Sequence, residues 1–266
     1  MSDDNTIYQV DAFTGVPYKG NPAGVMFVEK NTKSSRMQDI AVEMNLSETA
    51  FIIPGKDCFN IRYFTPASEV PLCGHATLAA AHIIYSLGLR NPGENILFRA
   101  KGGDLSVKKE GGWISMDFPQ YPLKKMNMRK NFKKIIGFQP KEMYSSSYNW
   151  VIALAGSDRE IKEAAPDFER AKAQGLGHLM ITAKSAVKGM DFSLRCFAPS
   201  LGVNEDPVTG SAHCALAPFW NMKTGKTRFN SIQLSKRGGI LKTAINNDRV
   251  EIKGKAVTVF KAELLV

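Results

Sequence analysis

Residues 59–88 read FNIRYFTPASEVPLCGHATLAAAHIIYSLG, and residues 192–220 read FSLRCFAPSLGVNEDPVTGSAHCALAPFW. Phe59, Arg62, Phe64 and Pro66 match Phe192, Arg195, Phe197 and Pro199 at a constant offset of 133 positions. After a loop three residues longer in the second copy, Gly74-His75-Ala76 matches Gly210-Ser211-Ala212 at offset 136, as Ile96, Gly102, Gly103 and Leu105 match Ile232, Gly238, Gly239 and Leu241. The period is about half of the 266-residue chain, and two copies are too few for a solenoid. The repeat predicts two pseudo-symmetric domains, residues 1–120 and 121–266, with the boundary near Tyr121–Lys134 and terminal strands free to cross between halves.

Local patterns agree with an α+β class in which each domain is a β-barrel-like sheet around a central α-helix. Strand-like runs at Ile7–Phe13, Gly24–Val28, Ala50–Ile53 and Phe59–Thr65 precede the glycine-led helix Gly74–Leu87, which Gly88 ends in the C′ position. A second helix fits Ser35–Met44, where Met37, Ile40, Ala41 and Met44 recur at helical spacing. In the second half, Ser157 and Glu160 form a capping box, strands fit His178–Thr182 and Met190–Phe197, and a helix starts from Gly210. The segments Thr77–Ile84 and Ala212–Phe219 are apolar nearly all round, which suits enclosed helices.

A composition of 44% hydrophobic and 23% charged residues is that of a globular chain, and no apolar run approaches the roughly 20 residues of a membrane span. The opening MSDDNTIYQVDAF lacks the basic-then-apolar order of a secretory signal, so a cytoplasmic protein is expected, with Cys58, Cys73, Cys196 and Cys214 as thiols. No CxxC pair occurs, so neither a zinc site nor a redox dithiol is expected. Part of the net charge of +10 lies in Lys124–Lys134, without aromatic interleaving or a nucleic-acid motif. We read this run as a solvated linker and helix face, and the general positive field as an attraction for small anionic metabolites rather than nucleic acid or membrane.

Both glycine-led turns offer N–H groups and a positive dipole end, which suit a carboxylate or an oxyanion forming on an enol-like intermediate. Three ionisable residues accompany them. His75 lies in a first helical turn, Asp206 precedes Pro207, and Glu48 enters an apolar strand where burial would raise its pKa and suit it to proton shuttling.

The blocks Asp11-Ala12-Phe13, Gly20-Asn21-Pro22-Ala23-Gly24-Val25, Ser47-Glu48-Thr49-Ala50-Phe51, Cys73-Gly74-His75-Ala76-Thr77-Leu78 and Asp206-Pro207-Val208-Thr209-Gly210-Ser211-Ala212 resemble the signature blocks of PhzF-like proteins, whose fold is similar to that of diaminopimelate epimerase. The resemblance implies a homodimer without cofactor or metal, and a substrate cleft between the two domains. It also implies an isomerase that moves a proton on a small carboxylate-bearing substrate, as in trans-2,3-dihydro-3-hydroxyanthranilate isomerisation in phenazine biosynthesis. On that analogy Glu48 is the acid/base, His75 and Asp206 hold the substrate and position protons, Gly74, Gly210 and Ser211 contact the substrate, and Asn21 shapes the cleft. Diaminopimelate epimerase uses two opposed cysteines. Cys73 occupies the first place, but Thr209 stands at the second, which excludes two-thiol epimerisation. A racemase using Cys73 with another base, and a metabolite-binding protein without turnover, are the alternatives.

Overall fold

The helix Gly74–Ser86 has ten of its thirteen residues buried, so it can only exist enclosed. In the computed structural model, which describes residues 5–127, 132–199 and 203–265, a sheet encloses it. Around the helix the strands run in the order Ala256–Glu263, Thr6–Ala12, Asn21–Phe27, Glu48–Pro54, Phe59–Phe64, Asn95–Ala100 and Gly103–Glu110. Two neighbouring pairs are parallel: Asn21–Phe27 with Glu48–Pro54, and Phe59–Phe64 with Asn95–Ala100. The helix Ser34–Met44 covers the sheet's other face, where Met37, Ile40 and Ala41 pack with Ile7, Met26, Phe51 and Phe64.

The second unit repeats the same pairing senses in the same order. Glu142–Ser146 lies antiparallel to Trp150–Leu154, which runs parallel to His178–Lys184. That strand is antiparallel to Phe192–Ala198, which in turn runs parallel to Arg228–Gln233, and Gly239–Asn246 follows antiparallel. The enclosed helix here is His213–Thr224, with seven of twelve side chains buried. A separate apolar cluster, including Phe132, Ile135, Ile161 and Ala171, gathers the short helices Lys133–Ile136, Asp158–Glu163 and Phe168–Ala173.

The compact units are Met1–Asp117 with Lys253–Val266, and Phe118–Ile252. The final strand, which the repeat left free to cross between halves, belongs to the first unit, because Ala256–Glu263 completes its ladder against Thr6–Ala12. Likewise Leu123–Met126 is a strand on Glu142–Ser146, not a linker. The rest of the basic run includes residues 128–131, which lie outside the described residues. Among the described residues no helix is long and apolar enough to cross a membrane, and no disulfide joins the four buried cysteines.

Caps follow the local sequence. Gly88, at φ +70°, closes a Schellman motif in which its N–H bonds Tyr85 C=O and the Leu89 N–H bonds Ile84 C=O. Ser157 Oγ accepts from Glu160 N–H at 3.3 Å, but the Glu160 carboxylate reaches Gly156 N–H at 2.6 Å, one residue beyond the expected box.

The two units also share a side-chain clamp. Arg62 meets Glu69 through two parallel bonds of 2.8 and 2.9 Å, and Arg195 meets Glu205 through two of 2.7 and 2.9 Å. Each guanidinium also lies over the phenylalanine two residues on, Phe64 or Phe197, at 5.1 and 4.9 Å from the ring centre. These clamps tie the short strands Glu69–Val70 and Val203–Asp206 to their sheets, immediately before the two helix starts.

Candidate active site

The left-handed residue Asn45, at φ +49°, ends the helix Ser34–Met44 and turns the chain straight into the strand Glu48–Pro54. Glu48 is thus the strand's first residue, paired beside Ala23. On the neighbouring strand, Asn21 is fully buried. It follows Gly20, whose φ of +68° and 2.1 Å approach between an added Cβ and the Ala12 carbonyl leave no room for a side chain. Asp11, also fully buried, accepts from Tyr18 N–H at 2.7 Å and so shapes the loop that leads to Asn21.

Four side chains converge at the start of the helix Gly74–Ser86. His75 Nε2 lies 3.3 Å from Glu48 Oε2 and 3.3 Å from Ser47 Oγ. His75 Nδ1 lies 3.4 Å from Cys73 Sγ, so the ring bridges thiol and carboxylate. Ser47 Oγ donates to Asn21 Oδ1 at 3.4 Å. Thr77 Oγ1 donates to the Cys73 carbonyl at 2.6 Å and pairs with the buried Tyr63 hydroxyl at 2.6 Å, which fixes the turn from below. Burial raises the Glu48 pKa above the ordinary glutamate value, against the opposing effect of hydrogen bonds from Ser47 and Cys73. A carboxyl held this way takes up a proton more readily than an exposed glutamate, as an acid/base must.

The second helix start belongs to the other unit and is built differently. Regular helix begins at His213 rather than Gly210, because the His213 ring takes the Thr209 carbonyl through Nδ1 at 3.1 Å. The His213 N–H bonds Gly210 C=O instead, and Gly210-Ser211-Ala212 form a tighter turn. Asp206 Oδ2 accepts from Thr209 Oγ1 at 2.5 Å, so the threonine hydroxyl acts here as a donor. The fully buried Gln233 ties the loop at both ends: its Nε2 donates to Asp206 C=O at 2.7 Å, and its Oε1 accepts from Thr209 N–H at 2.9 Å. Burial, with the nearby Asp206 carboxylate adding to it, pushes the Cys196 thiol far up, so Cys196 is no base. Asn21, Glu48, Gly74 and His75 therefore gather in the first unit, and Asp206, Gly210 and Ser211 in the second.

His213 is fully buried, and its pKa is lowered from 6.5 to about 4 by desolvation. Its second nitrogen meets Ser231 Oγ at 2.7 Å. Below pH 6.5 the unfolded chain binds a proton here that the folded chain refuses. The stability gained by keeping this imidazole neutral is whole above pH 6.5 and is lost as pH falls to about 4. Denaturant titrations should show roughly 3 kcal/mol of loss from this group over that window. In His213→Gln the pH slope there should drop by up to one proton, and an unchanged slope would refute the assignment.

Gln233, Glu69 and Glu205 are site-building residues that motif reading passed over, and Ser47, Arg62 and Arg195 stood in its blocks without a role. The clamps had a signal, since Glu69 and Glu205 also stand 136 positions apart. Among the described residues, Glu48, Cys73 and His75 are the group of three potential metal ligands, with one donor atom from each within 4.8 Å.

The profile of the PhzC-PhzF family, described as phenazine biosynthesis-like protein, matches residues 10–262. An uncharacterized isomerase of Halalkalibacterium halodurans is 44% identical, with 98% of each chain covered. The crystal structure of a PhzF-family phenazine biosynthesis protein from Enterococcus faecalis superposes with a TM-score of 0.92 at 35% identity, covering 98% of this chain and 99% of that one. A hydroxyproline epimerase from Agrobacterium vitis, at 11% identity, TM-score 0.65 and coverage of 97% and 90%, shares the fold alone. The chain has the two-domain epimerase-like fold and belongs to the PhzC-PhzF family.

Proposed function

We propose that the protein is a cofactor-independent isomerase that moves a proton on a small carboxylate-bearing substrate. Glu48 takes a C–H proton, the electron pair passes into the adjoining unsaturated or carboxylate system, and the Glu48 carboxyl, once its proton has exchanged with solvent, returns a proton at another carbon. His75 and Ser47 hold the carboxyl in place. Asp206, Gly210 and Ser211 contribute to the same turnover from the second repeat, and Gly74 and Asn21 shape the binding surface. The observation that carries the reading is the burial-raised carboxyl of Glu48 set 3.3 Å from His75 at a helix start. Isomerase is also the activity named for relatives such as the Halalkalibacterium halodurans protein. The reaction resembles trans-2,3-dihydro-3-hydroxyanthranilate isomerisation in type, and phenazine chemistry itself is not required.

The test is a heavy-water screen of cyclic amino acids and unsaturated carboxylates, read by mass and NMR. One compound is expected to isomerise with deuterium at the newly formed C–H bond. Tight binding of a compound with neither isomerisation nor exchange would identify a binding protein instead. A second reading, a racemase using the Cys73 thiol, has one observation in its favour: the 3.4 Å approach of Cys73 Sγ to His75 Nδ1. It requires substrate-protected inactivation by thiol alkylation and loss of turnover in Cys73→Ser.

A further inference from the structure

We infer that Glu48, Cys73 and His75 form a capture site for a divalent cation of the zinc class, which switches the acid/base off rather than assisting it. All three residues belong to the first unit. Thiolate, imidazole and carboxylate are the donor set that zinc selects. Zinc bond lengths in a tetrahedral site put sulfur and nitrogen about 3.6 Å apart and nitrogen and oxygen about 3.3 Å apart. Here Cys73 Sγ lies 3.4 Å from His75 Nδ1, and His75 Nε2 lies 3.3 Å from Glu48 Oε2. The ring gives a metal one nitrogen only, and one donor atom from each residue still falls within 4.8 Å of the others. Closing the site then needs a side-chain rotation that brings the donor farther from the chosen ring nitrogen to zinc-ligand spacing.

Cys73 and His75 are held two residues apart at a helix start. Three protein ligands leave a fourth position for water or a substrate carboxylate. On binding, metal–sulfur, metal–nitrogen and metal–oxygen bonds form, the thiol proton passes to buffer, and no electron changes hands. The bound cation occupies the Glu48 lone pair that would accept a substrate proton. Binding is independent of the proposed reaction, and the inhibition rests on it.

Cobalt(II), titrated into the reduced full-length protein, is the probe. One cobalt per chain is expected, with a thiolate-to-metal charge-transfer band and the intense visible absorption of a four-coordinate site, both displaced by zinc. Cys73→Ser should lose the charge-transfer band. Glu48→Gln and His75→Gln should weaken binding at least about 100-fold, the upper end of what outer-shell partners alone contribute. A band unchanged in Cys73→Ser, or a pale six-coordinate spectrum, overturns the site. Because Cys73 is buried and its variant can misfold, X-ray absorption of the zinc-loaded wild type gives a second measurement, and a shell without sulfur overturns it equally. Saturating cobalt should abolish deuterium exchange. Exchange that persists with the thiolate band present overturns the role of Glu48, whereas a missing band with exchange intact overturns the cation site alone.

Discussion

Glu48→Gln is expected to slow isomerisation and solvent exchange by roughly 10²–10⁴-fold, the range for loss of a positioned acid/base, while raising the melting temperature. Glutamine keeps the shape and the contacts with Ser47 but cannot accept a proton. Both halves of this result come from burial of the carboxyl. A carboxyl whose folded pKa lies above its ordinary value of 4.5 takes up a proton on folding. Its contribution to stability is therefore present below that value and is lost as pH rises through the raised one. The amide escapes this loss, so the variant's advantage should be largest at neutral pH and vanish below about pH 4.5. A gain of roughly 0.5–2 kcal/mol is the scale seen for single stabilising substitutions, and function is its recurrent cost. The same group sets the acidic limb of the wild-type pH–rate profile, which should lie above 4.5. A variant that turns over normally, or one whose stability advantage over the wild type is smaller at pH 7 than at pH 4, removes Glu48 from the mechanism.

Much of this arrangement was legible in the residues. The repeat foretold two similar units because matched residues at one offset demand matched neighbours, and the pairing senses around Phe59–Phe64 and Phe192–Ala198 bear that out. The enclosed helices were readable from their lack of a polar face. What could not be read depends on distant partners. The start of His213–Thr224 shifts because one imidazole competes for a carbonyl, a choice fixed by Ser231 on another strand. Gln233 looks like any strand glutamine until both ends of its amide are seen to hold the Asp206 loop. The final strand was ambiguous because no buried face marks its partner, and only the ladder with Thr6–Ala12 decides. Cys73 and His75, two apart in sequence, met no spacing rule for a metal, since the third donor comes from a strand 25 residues upstream of Cys73.

The two clamps offer an internal comparison, and the second is expected to matter more. Arg62 spends its remaining capacity on one neighbour, the Ser34 hydroxyl at 2.9 Å. Arg195 instead donates to the carbonyls of Ile161 and Ala164 at 3.0 and 2.8 Å, groups that end the helix Asp158–Glu163 and its following turn. Its side chain is 14% exposed against 26% for Arg62, so water can replace it less easily. Arg195→Met should take the Arg195 donor from the Glu205 carboxylate and from the carbonyls of Ile161, Lys162 and Ala164, at a cost of roughly 3–5 kcal/mol, the scale for breaking a buried pair. Arg62→Met should cost nearer to 1–2 kcal/mol, roughly one charged hydrogen bond. Lysine cannot reproduce the fork, so Arg195→Lys should recover only part of the loss. Glu205 adjoins Asp206, and the strand Val203–Asp206 is held to its neighbour at Cys196 and Ala198. Loosening the clamp should therefore lower kcat more than it raises KM in whatever substrate the exchange screen finds. Equal unfolding free energies for the two methionine variants, or a kcat untouched in an Arg195→Lys protein that folds, would mean that the clamp holds the sheet and not the site.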